Sequence, residues 1–512
     1  MKKVNQLKLG AVLSYVIIFL NMFVGIIYTP ILTRMLGQSE YGLYSLVTSI
    51  IAYFTILDLG FGNAIIIYTA KYKAKEDKES ERKLHGSFFL IYLVIGIIVT
   101  ILGLILTFNV NRLFANTMTS EELNKAKVMM GILTFNVAIT FPFTVYTSII
   151  SAYEKFVFSK LLNIIRIILL PIIMIPLLYM GFKSISLVIL TTILNVCILL
   201  ANYIYCKTKL NIKLKFGFLE KKIMIEICAY SFFIFLNTII EKVNHELDKF
   251  ILGSVSGTIA VSVYSVANQL YSIFTNLSLG ISGVLLPKLT KIKEDKKIDD
   301  KKEFSRIFIK IGRIQYIVMA LVVTGFMLFG KEFIVNIWVG EEYVNAYYVV
   351  MILIIPAIIP LIQNTGLSIL QVLNKYKYRT IIFFFIAILN LCMSIPLAKK
   401  YNEIGSALGT SIAVLLGQVI ILNIYYYKSV KINIIQFWKE IGHMTIPVAI
   451  TFIFGITIKY YFSIKNVRGF LIQGCIYVLI YIVLMWKMGL NMEEKHMLKN
   501  FIYKKEKDNG RN

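Results

Sequence analysis

Long apolar runs recur along the whole chain and are separated by short polar segments rich in lysine and arginine. A run of about 20 apolar residues is long enough to cross the hydrocarbon core of a bilayer as a helix. The pattern predicts about fourteen transmembrane helices, at residues 11–32, 42–68, 86–108, 127–150, 159–181, 185–206, 225–247, 258–286, 306–329, 344–373, 380–398, 404–427, 441–462 and 468–488.

The composition agrees with a membrane protein. Of the 512 residues, 58% are hydrophobic and 16% are charged, whereas soluble domains average about 45–50% apolar and about 25% charged residues. We therefore predict an all-α polytopic membrane protein embedded in the lipid bilayer. The net charge of +26 would suggest nucleic acid binding in a soluble protein, but here the basic residues lie in loops between spans, so we expect no nucleic acid partner.

The distribution of these basic residues predicts the orientation of the chain. If the N-terminus lies inside, the inner segments hold 38 Lys plus Arg and the outer segments hold 12. Because basic loops stay on the cytoplasmic side, we expect a multi-pass protein of the cytoplasmic (inner) cell membrane with both termini in the cytoplasm.

The chain also repeats itself after 220 residues. Between 37–71 and 257–291, 9 of 35 aligned positions are identical, where so apolar a composition gives roughly three by chance. Six spans return the chain to its starting side, so repeats of six spans have the same orientation and a pseudo-twofold axis along the membrane normal. We predict two six-helix bundles at 1–210 and 222–430, two additional helices at 441–488 and a basic cytoplasmic tail at 489–512.

Charged residues inside the spans are candidates for function, because a charge at the bilayer centre costs about 2.5–3.5 kcal/mol even on insertion scales. Asp58 lies within span two, and Arg166 lies about seven residues into span five. Arg34 lies at the outer end of span one. Each of these residues also has an interpretation without a function. Asp58 can form an ion pair with a neighbouring cation that only serves packing, and the two arginines can extend their side chains to the membrane interface.

The outer half of span seven has the densest group of charges. Glu241, His245 and Lys249 follow the spacing i, i+4, i+8 and share one helical face, while Lys242 can pair with Glu246. They form either a charged helix end at the outer surface or part of a central cavity, and His245 also allows a role in proton coupling. The candidates for a substrate cavity are Arg34, Asp58, Arg166, Glu241, Lys242, His245, Asp248 and Lys249.

The sequence has no motif of an enzyme or of a metal site. It lacks GxSxG, Walker, HExxH and DxD patterns, and its five cysteines contain no CxxC pair. The longest predicted outer loop, at 109–126, is too short for a catalytic domain. We therefore predict that the protein is not an enzyme and binds no metal.

Four motifs resemble a known family. Residues 34–45 (RMLGQSEYGLYS) resemble the R-x-L-G-x-x-x-[YF]-G-x-[YF] signature of polysaccharide flippases, and 57–64 (LDLGFGNA) resemble its D-x-G-x-x-x-A stretch. Residues 248–253 (DKFILG) are similar to D-R-[FY]-I-L-G, and 264–267 (YSVA) resemble Y-S-x-A. The chain thus resembles the Wzx-type flippases of lipid-linked oligosaccharides, in the multidrug/oligosaccharidyl-lipid/polysaccharide (MOP) exporter superfamily.

The resemblance implies a V-shaped pair of bundles around a cationic cavity, the fold of multidrug (MATE) extruders and of the lipid II flippase MurJ. It implies transport of an undecaprenyl-pyrophosphate-linked oligosaccharide to the outer leaflet, with no cofactor and with H⁺ or Na⁺ as the coupling ion. Arg34 and Asp58 match motif positions, whereas Lys249 replaces the usual arginine, which keeps the charge but loses bidentate contact with phosphate. By the same resemblance, 441–488 is a candidate groove for the lipid tail.

Several alternatives remain open. A MATE-type extruder usually has twelve helices, and the motifs together with two extra spans argue against it. A lipid II flippase would share the fold, while a membrane polymerase or ligase usually needs a large outer loop. A structural membrane protein is the remaining class, and the charged interior positions argue against it. We expect a monomer whose partners are a polysaccharide polymerase and other assembly proteins.

Overall fold

The computed structural model describes residues 6–217, 219–282, 286–294, 300–462 and 466–496, which form helices, turns and short connections without a strand. The α-helices are α1 (Gln6–Leu36), α2 (Gln38–Ala52), α3 (Phe61–Ala74), α4 (Lys78–Phe108), α5 (Val110–Phe114), α6 (Ser120–Ala152), α7 (Phe156–Tyr179), α8 (Ser184–Thr208), α9 (Lys221–Val255), α10 (Gly257–Ser282), α11 (Leu286–Glu294), α12 (Asp300–Glu332), α13 (Val344–Ile362), α14 (Asn364–Val372), α15 (Tyr376–Val414), α16 (Leu422–Tyr425), α17 (Ile434–Tyr461) and α18 (Val467–Leu484). Short 3₁₀ turns cover Tyr53–Asp58 and Glu341–Tyr343, and π-helical turns cover Phe333–Trp338, Leu415–Ile421, Tyr426–Val430 and Met485–Gly489.

Twelve helical stretches of the described residues are long and apolar enough to cross a membrane. One of them, Lys377–Val430, covers predicted spans eleven and twelve, and its helix α15 is interrupted where Tyr401 and Asn402 leave helical geometry. Helix α10 covers most of predicted span eight and is not among the twelve. The all-α polytopic fold is therefore confirmed, and the count of fourteen is approximate.

The chain forms two compact units. Unit one comprises the chain up to Gln269 together with Ala387–Gly409, and unit two comprises Leu270–Ile386 and the chain from Thr410 onward. The boundaries predicted for the two bundles and for the two extra helices stay predictions. The predicted basic tail lies outside the described residues from position 497 onward.

The sequence repeat recurs in the backbone. The turn after α6 places Glu154 at φ 57°, and the turn after α14 places Asn374, 220 positions later, at φ 54°. In both turns the next amide, that of Lys155 or Lys375, donates to the carbonyl five residues earlier, at 3.0 and 2.8 Å respectively. The same unusual turn therefore ends the same helix of both repeats.

A second matched pair lies at the start of the second helix of each repeat. Gly37 and Gly257 have φ of 81° and 82°, a left-handed geometry that glycine adopts without steric cost. Near this point, a β-carbon on Gly42 would overlap the carbonyl oxygen of Thr258 and approach Ser262 Cβ at 3.2 Å. Positions 42 and 262 are equivalent under the repeat, so the close contact joins matched points of α2 and α10.

This contact predicts a large difference between two helical glycines. We expect Gly42→Ala to destabilise the protein by roughly 1–3 kcal/mol, because the new methyl group meets backbone that cannot rotate away. Gly131→Ala in α6 is the matched control, since no atom lies within 4 Å of its β-carbon position, and it should stabilise by roughly 0.5–1 kcal/mol. Thermal unfolding midpoints in detergent measure both effects, and equal shifts would contradict the close contact.

Candidate functional site

Predicted span two is not one continuous helix. After α2 the chain forms the 3₁₀ turn Tyr53–Asp58, and Leu59 and Gly60 then take left-handed φ angles of 53° and 76° before α3 begins. Inside a membrane, broken helices are tolerated only where protein buries them or where they line a cavity, and transporters bind substrates at such breaks. The break in span two is therefore a candidate site.

Asp58 stabilises this break. Its carboxylate accepts a hydrogen bond of 2.6 Å from the Tyr92 hydroxyl of α4 and hydrogen bonds from the backbone amides of Gly60 and Gly62. These amides belong to the N-terminal end of α3, where the helix dipole favours a negative charge. Within the described residues no lysine or arginine forms an ion pair with Asp58. Its charge is stabilised by neutral hydrogen-bond donors and by the start of a helix, so the alternative that Asp58 forms an ion pair for packing does not apply here.

Helix α9, which is predicted span seven, packs against this break. It contacts α2, α3 and the 3₁₀ turn. A β-carbon on Gly60 would lie only 2.9 Å from Ile234 Cβ of α9, so glycine is needed for this approach. Within unit one, the structure thus brings together two of the predicted site elements, Asp58 and the charged span.

The charged face of α9 lies in the second half of a helix that is longer than a bilayer core requires. The helix is 35 residues long, about 52 Å, against a hydrocarbon core of about 30 Å. Glu241 lies 14 residues before its outer end, about 21 Å along the axis. Glu241 and His245 are exposed on the surface of unit one. Because the helix exceeds this core by about 22 Å, its length agrees with both interpretations of these charges, a charged helix end at the outer surface and a polar lining.

The ion pairs on α9 differ from the expected pattern. Glu246 pairs with Lys249, whose Nζ lies 3.0 Å from its carboxylate, rather than with Lys242. Lys242, Glu241 and His245 form no hydrogen bond or ion pair with any residue that the structure describes. They are therefore available to a ligand, whereas the charge of Lys249 is already balanced.

Asp248 has a different environment from the rest of α9. It is 2% exposed and accepts hydrogen bonds from the Tyr264 hydroxyl at 2.6 Å and from Ser406 Oγ at 2.8 Å. Ser394 Oγ lies 3.5 Å from its carboxylate and donates to Asn390 Oδ1 at 2.6 Å. We call these five side chains the oxygen cluster. Carboxylate, hydroxyl and amide oxygens are the ligands that hard cations prefer.

Arg166 lies near the middle of α7, ten residues from its start and about 15 Å along the axis. It shares one helical face with Ser159 and Asn163, at i, i+4 and i+7, and its side chain is exposed. Among the described residues it has no hydrogen-bond or ion-pair partner. Four exposed apolar residues of α7 lie on a different face, namely Leu161, Ile165, Ile168 and Ile172, whereas the exposed Ile173 lies at i+7 from Arg166 on the same face.

Arg34 lies in the last turn of α1 and is exposed, where a cation interacts favourably with the helix C-terminus. Sequence reasoning missed an acid of the same motif, Glu40, which is 8% exposed. Glu40 accepts hydrogen bonds from Lys125 Nζ at 2.5 Å and from Ser184 Oγ. The only signal in the sequence was the position of Glu40 within the motif at 34–45, since its partners are 85 and 144 residues away.

Glu122 completes a polar cluster at the outer end of unit one. Its carboxylate accepts hydrogen bonds from Ser39 Oγ at 2.5 Å and from Thr258 Oγ1 at 2.7 Å. In the same region Thr117 Oγ1 donates to the carbonyl of Gly253 at 2.7 Å. These contacts join α2 and α10 to α6 and the end of α9 to the residues before α6, around a cavity that Ser39, Glu122 and Thr258 help to line.

A further missed cation, Arg313, has a structural role in unit two. Its guanidinium is 4% exposed and contacts Glu494 at 2.7 Å and Glu440 at 2.6 Å, while Nη2 donates to the carbonyl of Gly489 at 3.0 Å. Arg313 therefore holds α12, α17 and the segment after α18 together. Its charge is fully used by these contacts, so we do not count it among the candidates for substrate binding.

The chain matches the family described as "Polysaccharide biosynthesis protein" over residues 7–293, more than half of its length. It belongs to this family. The chain is also 24% identical over 192 residues to the "Putative O-antigen transporter" of Shigella flexneri. That match covers 37% of this chain and 44% of the relative, so it spans less than half of the relative's length.

Solved structures confirm the fold of this family member. The "Lipid II flippase MurJ, inward closed conformation" has a TM-score of 0.70 at 18% identity, covering 93% of this chain and 97% of that one. An inward-facing multidrug resistance MATE family transporter of the MOP superfamily has a TM-score of 0.61 at 16% identity, covering 78% and 92%. The predicted resemblance and the MATE/MurJ-like fold are thus confirmed. The relatives are named as transporters or flippases, in agreement with a protein that is not an enzyme.

Proposed function

We propose that this polysaccharide biosynthesis protein is a flippase that moves undecaprenyl-pyrophosphate-linked oligosaccharide repeat units across the cytoplasmic membrane. The observation that carries the proposal is Arg166, a cation near the middle of α7 without a hydrogen-bond or ion-pair partner among the residues that the structure describes. A charge is tolerated there when it serves a substrate pathway, and arginine binds phosphate oxygens with two parallel hydrogen bonds. The pyrophosphate of such a substrate supplies those oxygens, while its lipid tail can stay in the bilayer.

The direction of transport follows from the proposed orientation. With the basic loops and both termini in the cytoplasm, the substrate enters from the inner leaflet and leaves in the outer leaflet. There the repeat unit serves a surface polysaccharide such as O-antigen, capsule, exopolysaccharide or a teichoic-type polymer. A polysaccharide polymerase and other assembly proteins are the partners we expect, and we expect the flippase to act as a monomer by alternating access.

We further propose that an ion gradient drives the transport. The oxygen cluster supports this step, because a carboxylate in a buried, oxygen-rich setting can bind either a proton or a sodium ion. Asp248, Ser394 and Ser406 would hold the ion, which neutralises the carboxylate when it is bound. His245, exposed on the same helix, is a second candidate for proton binding.

A multidrug extruder is the second candidate function. The fold likeness to a MATE family transporter, with a TM-score of 0.61, favours it. The partner-free Arg166 and Lys242 argue against a cationic drug, because like charges repel in a low-dielectric site.

A transport assay in proteoliposomes tests the proposal. The purified protein is reconstituted with a short-chain lipid-pyrophosphate oligosaccharide, and the sugar that reaches the opposite leaflet is measured by its accessibility to a glycosidase. We expect transport of this substrate under an imposed H⁺ or Na⁺ gradient and no transport of a cationic dye. Transport of the dye without transport of the oligosaccharide would assign the protein to the multidrug class.

A further inference from the structure

Each unit contains one cavity at the helix ends that carry the basic loops, outside the candidate site. The first cavity, in unit one, has a volume of about 840 Å³, and the second, in unit two, has about 490 Å³. The first is lined by residues that include Lys73, Lys78, Arg82, His85, Tyr153 and Lys213. The second is lined by residues that include Lys302, Ser305, Arg306, Lys310, Arg313 and Asn433.

The two cavities are copies produced by the internal repeat. Five pairs of lining positions are separated by 220 residues, namely Glu81 and Lys301, Arg82 and Lys302, His85 and Ser305, Asn211 and Lys431, and Lys213 and Asn433. The backbone agrees, because the amides of Ile212 and Ile432 each donate to the carbonyl six residues earlier, at 3.0 and 3.1 Å. Equivalent elements of the two repeats therefore line the two cavities.

The second cavity is lined by acidic groups of the chain itself, which pair with its basic residues. Glu493 and Glu494, from the segment after α18, contact Lys310 Nζ at 3.1 Å and Arg313 Nε at 2.7 Å. The hydrogen bond from Lys310 lowers the pKa of the Glu493 carboxyl below its ordinary value. This copy of the cavity thus shows what its basic residues bind, which is a pair of anionic oxygen groups.

The first cavity has the cations but no such acidic segment. Lys78, Arg82 and Lys213 are exposed and form no ion pair with any residue in the described part of the chain, and Lys73 Nζ lies 4.2 Å from the ring centroid of Tyr153. The lining of this cavity contains two carboxylates and, in total, four lysine and arginine side chains, so its net charge is positive. The carboxylates are those of Glu76 and Glu81, and Glu81 accepts a hydrogen bond of 2.7 Å from the Tyr153 hydroxyl.

His85 provides an independent indication of a ligand. Its imidazole lines the first cavity and is 0% exposed. Nε2 forms a hydrogen bond of 2.9 Å with Thr69 Oγ1, whereas Nδ1 has no partner among the described residues. A buried polar atom is seldom left unpaired, so an unpaired ring nitrogen beside a basic cavity fits a polar group that enters from outside.

We propose that the first cavity binds a phosphate group, at a site separate from the transport pathway. Arg82 and Lys213 bind its oxygens through charge-assisted hydrogen bonds, and His85 adds a neutral hydrogen bond at the buried end. The phosphate comes from the headgroup of an anionic lipid in the adjoining leaflet or from a soluble phosphate compound. Basic pockets between transmembrane helices bind lipid headgroups in this way.

The test compares two double variants of equal charge. Arg82→Gln/Lys213→Gln removes cavity cations, and Lys75→Gln/Lys209→Gln removes exposed cations from the same two regions that do not line the cavity. The protein is placed in phosphatidylcholine nanodiscs, inorganic pyrophosphate is titrated calorimetrically, and retained phosphatidylglycerol is measured by native mass spectrometry. We expect the cavity variant to bind at least about tenfold more weakly and the control to match the wild type.

The two readouts distinguish the sources of phosphate. Loss of retained phosphatidylglycerol in the cavity variant alone assigns the site to a lipid headgroup, and loss of pyrophosphate binding alone assigns it to a soluble phosphate. Equal binding by the wild type and both variants in both assays overturns the proposal. An Arg166→Ala protein, which is altered in the proposed transport pathway, should still bind phosphate in the first cavity. The binding experiment therefore tests this cavity even if the proposed transport function is wrong.

The second cavity offers a gain-of-binding experiment. Glu493 is exposed, and Glu493→Gln frees Lys310 and Arg306 from its charge without leaving the buried Arg313 unpaired. We expect the variant to bind one more phosphate group than the wild type, which is measured as the calorimetric stoichiometry. An unchanged stoichiometry would contradict the inference that the acidic segment occupies a phosphate-type site.

Discussion

Arg166→Ala is expected to reduce transport of the lipid-linked oligosaccharide by roughly 10- to 100-fold while the protein still inserts and folds. A hydrogen bond to a charged group contributes about 1.5–3 kcal/mol, and no cation of α7 at similar depth can replace the guanidinium. Because Arg166 has no intramolecular partner in the described chain, its removal leaves no unpaired carboxylate and should change the unfolding midpoint little. Proteoliposome transport and thermal unfolding in detergent measure the two effects.

Two further variants separate a binding role from a general effect of charge. Arg166→Lys keeps the charge but loses the bidentate contact, so its transport should fall between that of the wild type and that of the alanine variant. Lys160→Ala removes a cation from the first turns of the same helix and should leave transport near the wild-type level. If Lys160→Ala and Arg166→Ala have the same transport rate, snorkelling to the interface explains Arg166 better than substrate binding does.

Asp248→Asn is expected to make transport insensitive to an imposed ion gradient, with a loss of roughly 5- to 150-fold in the gradient-driven rate. Asparagine has nearly the same shape. Tyr264 and Ser406 donate to different oxygens of the Asp248 carboxylate, so the asparagine oxygen keeps one of these hydrogen bonds and its amide group donates to the other hydroxyl. Asparagine cannot take up a proton at neutral pH and attracts a sodium ion less strongly. Initial rates with a pH gradient, a sodium gradient or neither measure the effect and identify the ion.

Asp58→Asn is the matched control for this prediction. Asp58 is also a carboxylate within a span, but its contacts are with Tyr92 and the start of α3 rather than with the oxygen cluster. This variant should lower the unfolding midpoint, because a neutral amide interacts less favourably with the helix dipole, yet it should keep the response to the gradient. If transport by Asp58→Asn no longer responds to the ion gradient while transport by Asp248→Asn still does, then Asp58 rather than Asp248 binds the coupling ion.

Most of the fold followed from the sequence for one physical reason. A membrane-spanning helix satisfies its backbone hydrogen bonds locally and must be apolar over about 20 residues. Each span can therefore be recognised from one continuous stretch of the sequence. The exceptions show the limit of this rule. Helix α10 is less apolar than the other spans, and the helix covering span two breaks at Leu59 and Gly60 because Asp58 and α9 stabilise the broken ends.

The candidate site was predicted only in part. The sequence identified Asp58, Arg166 and the charges of α9 because a charge within a span has an unfavourable free energy in the bilayer. This effect depends only on the position of each residue within a span. Glu40 lies outside the predicted spans and gave no such signal. Arg313 lies within predicted span nine, but its structural role, like that of Glu40, depends on partners 85 to 181 residues away. The sequence also could not separate Asp248 from its neighbours on α9, because burial depends on which helix faces it.

The sequence by itself determined the class of protein, the repeat of 220 residues and the residues that carry charge into the membrane. These properties depend on local hydrophobicity and on matched positions along one chain. Only the tertiary structure decided which charges are neutralised and which are available, since hydrogen bonds between helices join residues far apart in sequence. It paired Lys249 with Glu246, enclosed Asp248 in oxygen atoms and gave Arg166 no hydrogen-bond or ion-pair partner within the described part of the chain.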